Sequence, residues 1–179
     1  METYNMDKTS TIPTVYPGDP IGEYQGYETF YYNNKTLKVK LKSSRFPIPE
    51  KATSGSAAYD LRANLGSTLE LKPNERKTIG TGIYLELPEN TFALVLPRSG
   101  LSTKFGITLS NSVGLIDSDY RGELLISLVN QGDTVARIED GTRIAQMLIL
   151  TQAPTELISV QSVEDTVRGS GGFGSTGVE

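Results

Sequence analysis

Four stretches of this 179-residue sequence bring together residue types whose spacing could do chemistry. In the first, residues 97–107 (PRSGLSTKFGI), Arg98, Ser99 and the Gly100 amide follow directly on an apolar run. A guanidinium, a hydroxyl and the free amides of a helix or turn start form a cradle for phosphate, although the same residues also make an ordinary strand-to-helix turn with a surface arginine. In the second, residues 111–124 (NSVGLIDSDYRGEL), the carboxylates Asp117 and Asp119, a tyrosine and an arginine stand beside an apolar pair in an expected Gly-bounded hairpin. Asp117 and Asp119 are there the leading candidates to orient and deprotonate a water; the plain alternative is a turn decorated with solvated acids. The third, residues 56–64 (SAAYDLRAN), sets Asp60 between apolar residues of an expected strand, where an acid is either paired, with Arg62 or another base, or near a metal.

The fourth is the glycine-rich end, residues 168–179 (RGSGGFGSTGVE), with Arg168 at one side, Phe173 in the middle and Ser175 and Thr176 beyond it. It lacks the lysine and the strand-loop-helix setting of a P-loop. What remains is an amide-rich segment that can wrap anionic oxygens and stack a base, or a simple tail.

Composition narrows the chemistry further. With no cysteine and no histidine, disulfides, thiolate or imidazole metal sites and every Ser-His or Cys-His mechanism are excluded. Acid-base work falls to carboxylates, Lys, Tyr or water. The net charge of −4 lies entirely in residues 1–34, which hold one base (Lys8) against five acids and six of the nine tyrosines; the remaining 16 bases and 16 acids balance. No broad basic surface for nucleic acid is indicated, and no direct nucleic-acid binding is expected. No apolar run is long enough for a membrane helix and no signal pattern opens the chain, so the expected setting is the interior of a cell, cytoplasmic or within a host, rather than a membrane or the exterior.

The elements that must position these groups are short strands. Leu37, Val39 and Leu41 alternate with lysines, and further strand candidates fall at 68–71, 76–87, 91–96, 107–116, 123–130, 142–150 and 155–160. Turn residues separate them at Pro73-Asn74, at 88–90, at 131–133 and at 139–141. Only 98–106 suits a short helix. Many short strands with few helices predict an all-β sandwich, barrel or jelly roll. Residues 1–34 read as an irregular acidic extension, 35–160 as the core, and 161–179 as a Gly-rich C-terminal arm.

Taken in order, the dense segments resemble the five motifs of the trimeric deoxyuridine triphosphatase (dUTPase) family: residues 57–61, 97–101, 114–123, 143–146 and 168–177. That resemblance implies a distorted jelly roll forming a homotrimer, with the C-terminal arm exchanged to close a neighbouring site. It implies a Mg²⁺-dependent dUTP diphosphatase that releases dUMP and pyrophosphate, limiting uracil incorporation into DNA and supplying dUMP for thymidylate synthesis. By the same resemblance Asp117 holds the attacking water, and Ser99 and Gly100 contact the phosphate chain. Arg98 and Arg143 serve as phosphate or interface bases. Asn111, Leu115, Ile116 and Leu125 form the uracil edge, and Tyr120 packs on the deoxyribose. Arg168, Ser175 and Thr176 clamp the β and γ phosphates, while Phe173, followed by Gly174, covers the base. Magnesium is held mainly by the phosphates, with Asp60 and Gln146 reaching it only through water. A dCTP deaminase of the same fold and a dUTPase-like regulatory or binding protein are the alternatives. Ala58 stands where the family has Gly, and nothing in the resemblance accounts for residues 1–34.

Overall fold

The computed structural model of the chain describes residues 36–42, 45–172 and 175, all within one compact unit that spans Thr36–Glu179. The expectations for residues 1–34, Phe173, Gly174 and Thr176 lie outside the described residues.

Within them, ten strands and one short helix make an antiparallel, two-sheet protein. One sheet has the order β1 (Lys38–Leu41), β4 (Arg76–Glu86), β8 (Glu123–Asn130), β6 (Ile107–Leu109). The other runs β2 (Tyr59–Arg62), β10 (Arg143–Thr151), β5 (Thr91–Leu96), β7 (Gly114–Ile116), and β3 (Leu69–Leu71) pairs with β9 (Ala136–Ile138) as a separate ribbon. The all-β, jelly-roll-like expectation holds. Strict period-two burial explains why these sequences settle as strands. In β5 Thr91, Ala93 and Val95 are buried while the residues between them are half-buried, and in β8 Leu124, Ile126 and Leu128 face inward.

The buried residues of the two sheets and the ribbon form one cluster, including Leu61, Ala93 and Met147 from one sheet, Ile79, Ile126 and Leu128 from the other, and Leu71 and Ile138 from the ribbon. Each large side chain so buried contributes roughly 1.5–3 kcal/mol. One buried polar residue ties the ribbon to this core. The Asn130 amide nitrogen donates to the carbonyls of Leu71 (2.8 Å) and Thr134 (2.7 Å), and its oxygen accepts from the Gly132 amide at 2.9 Å. With every polar atom matched, burial of Asn130 costs little.

Three local differences from the sequence reading have physical causes. Residues 107–116 do not form one strand: a turn at 110–113, with Ser112 at φ 62°, divides them into β6 and β7, which join different sheets. β9 is an additional strand; at three residues it is too short to show a period. Residues 155–160 form no strand, and all of 152–170 is exposed: the apolar residues there meet no neighbouring surface that would fix them as a strand. The expected helix is present as α1 (Ser99–Phe105), and it stops where Gly106 takes the left-handed conformation at φ 66°, its amide bonding back to Ser102. A side chain at Gly106 would also collide with the Gly132 amide 2.4 Å away.

Candidate functional site

Three of the expected motifs meet at one end of the second sheet. Strand β10 carries Gln146 opposite Asp60 of β2 on one side and opposite Leu96 of β5 on the other, so the residues that follow β5 arrive beside both. There Asp60 is held by two arginines: Oδ1 faces Arg98 Nε at 3.0 Å and Oδ2 faces Arg143 Nη1 at 3.0 Å. The Asp60 side chain is 16% exposed, against 28% for Arg98 and 43% for Arg143, so a mostly shielded carboxylate anchors two more open guanidinia. Arg98 Nη1 also donates to the Arg143 carbonyl at 3.2 Å, and Gln146 Nε2 donates to the Pro97 carbonyl at 3.0 Å. The pairing expected for Asp60 therefore exists, but with Arg98 and Arg143; Arg62 instead donates to the Gly141 carbonyl at 2.9 Å.

Immediately after Arg98 the backbone enters α1. The first helical bonds to the Arg98 carbonyl are made by the amides of Leu101 and Ser102, so those of Ser99 and Gly100 precede the ladder, and both residues are exposed. One cleft is lined by Arg98, Ser99, Gly100, Lys104 and Gln146, and an adjoining one by Ala57, Ala58, Asp60, Arg98 and Gln146. Charge, amides and shape there suit a polyanion. Lys104 is the residue the sequence reading missed; its place in the last turn of a short helix, looking like simple charge complementarity to the helix end, concealed it.

The second group of expected residues runs through the turn before β7, along β7, over the loop that leads to β8 and into β8. Because β7 pairs with β5, and β8 with β4 and β6, the hairpin expected at 111–124 does not form and the chain here crosses from one sheet to the other. Leu115 and Leu125 are exposed although apolar, as are Asn111, Asp117 and Tyr120, while Ile116 is half-buried. The turn is internally braced: the Tyr120 amide donates to the Asp117 carbonyl at 3.2 Å, and Arg121 Nη1 donates to the carbonyls of Ser118 (2.7 Å) and Tyr120 (3.1 Å). Bracing by backbone and by Arg121 leaves the Asp117 carboxylate outside the turn's own bonds.

The two groups do not meet within one chain. In the β5–β7 ladder Ile116 stands opposite Ala93 and Gly114 opposite Val95, so β7 runs away from the Arg98 end of β5 as it approaches Asp117. Five residues separate Ala93 from Arg98, which at about 3.3 Å per residue is a backbone distance of roughly 16 Å. In the described part of the arm Arg168 bonds locally, its Nε donating to the Gly171 carbonyl at 3.1 Å, and the Ser175 amide donates to the Gly172 carbonyl at 3.0 Å.

Fold and site together define an antiparallel two-sheet β protein with an arginine-rich anion cleft at one strand end. The chain belongs to the dUTPase family, whose model matches residues 44–177. Among similar curated proteins, the deoxyuridine 5'-triphosphate nucleotidohydrolase of Acinetobacter baumannii is 46% identical over 146 residues, covering 79% of this chain and 97% of the relative. That of Haemophilus influenzae is 45% identical over 148 residues, covering 80% and 98%. Among solved structures, the dUTPase of Staphylococcus bacteriophage 80alpha with dUpNHpp superposes with a TM-score of 0.73 at 32% identity, covering 80% of this chain and 99% of that one. A mutant dUTPase of phage phi11 of S. aureus, described as revealing the coordination of a structural Mg(II) ion, gives a TM-score of 0.66 at 26% identity, covering 73% and 99%.

Proposed function

We propose that this protein is a dUTP diphosphatase, which splits dUTP to dUMP and pyrophosphate by in-line attack of water on the α-phosphorus, and that its sites are shared between the subunits of a homotrimer. The observation that carries the reading is the split described above: an anion cleft at one end of β5 and the Asp117 loop at the other. That separation supports a site in which the cleft of one subunit is completed by the Asp117 loop of a neighbour. The family's curated relatives named for deoxyuridine triphosphate hydrolysis support the substrate.

In this arrangement Asp117 orients the water and takes its proton as the new oxygen–phosphorus bond forms and the bond to the pyrophosphate oxygen breaks. Ser99, the Gly100 amide, Arg98 and Arg143 neutralise the phosphate chain; because Asp60 already fixes both guanidinia, little reorganisation accompanies binding. Asn111, Leu115, Ile116 and Leu125 present the uracil edge, where cytosine would leave buried groups unpaired. Residues 161–179 act as the arm that closes a neighbouring site, with Arg168, Ser175 and Thr176 on the outer phosphates and Phe173, beside Gly174, over the base; closure excludes bulk water. Residues 35–160 supply the core, and residues 1–34 form an acidic appendage outside the catalytic unit.

The donor set fits a Mg²⁺ ion carried in by the substrate. Among the described residues no cluster of three or more acidic groups could hold a metal alone, and both Asp60 oxygens carry a guanidinium, so the phosphates would supply the main ligands. Asp60 and Gln146 would then reach its water shell. When bound, the ion would neutralise phosphate charge and fix the chain's geometry. Among the described residues no helix is long and apolar enough to cross a membrane.

Incubation with dUTP, dCTP, dTTP and UTP, with and without Mg²⁺, tests the reading if pyrophosphate and ammonia are assayed separately. Pyrophosphate from dUTP alone, and only with the metal, is expected; ammonia from dCTP would replace this reading with a deaminase.

A further inference from the structure

The Tyr120 ring takes its pose from its own loop and the start of β8. Its hydroxyl donates to the Glu123 carbonyl at 3.0 Å, and the ring lies so close over Gly122 that a Cβ there would stand 2.3 Å from the hydroxyl oxygen. The Glu123 carbonyl is fixed in turn by where the Glu123 side chain goes. Its Oε1 accepts the Gly82 amide at 2.8 Å, and its Oε2 lies 3.4 Å from Lys42 Nζ. The carboxylate is 17% exposed and occupies space that Gly80 leaves free, since a Cβ on Gly80 would fall 2.5 Å from Oε1.

This seat is an interruption in β4. Its ladder with β8 pairs Gly80 with Leu125 and then resumes with Tyr84 opposite Glu123. Gly82, at φ 72°, makes the reversal that an L side chain would strain. Thr81 Oγ1 closes the gap by donating to the Leu124 carbonyl at 2.8 Å while accepting the Ile83 amide at 3.2 Å. A shielded charge accepting a backbone amide is among the stronger hydrogen bonds available to a fold. Here it immobilises the one residue whose carbonyl holds the tyrosine.

We propose that Glu123 is a positioning residue for sugar selection: its carboxylate, locked into the β4 interruption, holds the Tyr120 ring in the plane that accepts a deoxyribose and excludes a 2′-hydroxyl. The inference rests on the reading of the site as a dUTP site in which Tyr120 packs on the sugar. Three substitutions separate positioning from mere packing. Glu123→Ala removes the carboxylate, Gly80→Ala displaces it from β4 without changing any residue of the Tyr120 loop, and Glu123→Gln keeps an acceptor for the Gly82 amide. The measurements are kcat/KM for dUTP and UTP in each protein and the NMR signals of the Tyr120 ring in tyrosine-labelled protein.

The expected result is a fall of about tenfold in the preference for dUTP over UTP in Glu123→Ala and in Gly80→Ala, with the ring signal displaced, and retention of most of the preference in Glu123→Gln. Unchanged preference, or loss of both substrates by the same factor, would overturn the proposal. A parent protein inert toward dUTP would instead refute the site reading, and the ring signal would still judge the contact: displacement in both alanine variants supports it, and an unmoved ring sinks it.

Discussion

Chains carrying Asp117→Asn, mixed with chains carrying Arg98→Ala, should recover activity that neither possesses alone. Each single change should be severe, with loss of the water-orienting carboxylate costing ~10²–10⁴ in rate and loss of a phosphate donor on the order of 10²–10³. Recovery follows from the register of β5 and β7. Ile116 stands opposite Ala93, five residues before Arg98, so the Asp117 loop and the arginine cleft of one chain are separated by a backbone distance of about 16 Å. If one chain supplies Arg98 and a neighbour supplies Asp117, a site in a randomly mixed trimer is intact when the first carries the Asn variant and the second the Ala variant. For equal amounts that is about one half times one half, so roughly a quarter of the parental activity should return. The assay is pyrophosphate release before and after subunit exchange, with native mass spectrometry to verify that mixed trimers have formed. Mixed trimers with no more activity than the sum of the separate variants would show that both groups serve from the same chain, and the divided-site reasoning would fail.

Three further outcomes are expected. Deleting residues 168–179 should abolish turnover while leaving the trimer intact by light scattering; dissociation into monomers would mean that the arm is chiefly a structural clasp. Asp60→Ala leaves Arg98 and Arg143 facing each other without their shared carboxylate, and after discounting for the exposure of Arg143 it should cost about 1–2 kcal/mol of stability, read as a melting temperature a few degrees lower, together with a raised KM for dUTP. Removing residues 1–34 should leave dUTP turnover nearly unchanged, and a large fall would make that acidic segment part of the catalytic unit.

Much of this was legible because period-two burial writes itself directly into β5 and β8, where alternation extends over six residues. The order of the dense motifs pointed to the family, and Asp60, Arg98 and Gln146 do come together. What stayed hidden was geometry that depends on residues far apart in the chain. The turn at 110–113 rests on Ser112 in a left-handed conformation, which a serine does not advertise as glycine or asparagine would. That Asp60 is paired was legible, but which base pairs it was not: Arg62, two positions away, is drawn off by the Gly141 carbonyl, and Arg98 and Arg143 come from distant parts of the chain. Glu123 drew no reading of its own from the sequence. Its shielding depends on two glycines in β4, some forty residues earlier, and no local pattern around residue 123 reveals them.

The exposed stretch from residue 152 to 170 has a meaning for the life of the chain before assembly. It carries Leu157, Ile158, Val160, Val163 and Val167 in water, outside any helix or strand. For a newly made chain at low concentration, such a ribbon is the kind of surface that seeks any available strand edge, including the wrong one. In the proposed trimer, the event that completes the catalytic site is also the event that takes this ribbon out of circulation. Solubility and activity would then share one dependence on concentration: a solitary chain is at once idle and adhesive, and each encounter with its own kind relieves both conditions together.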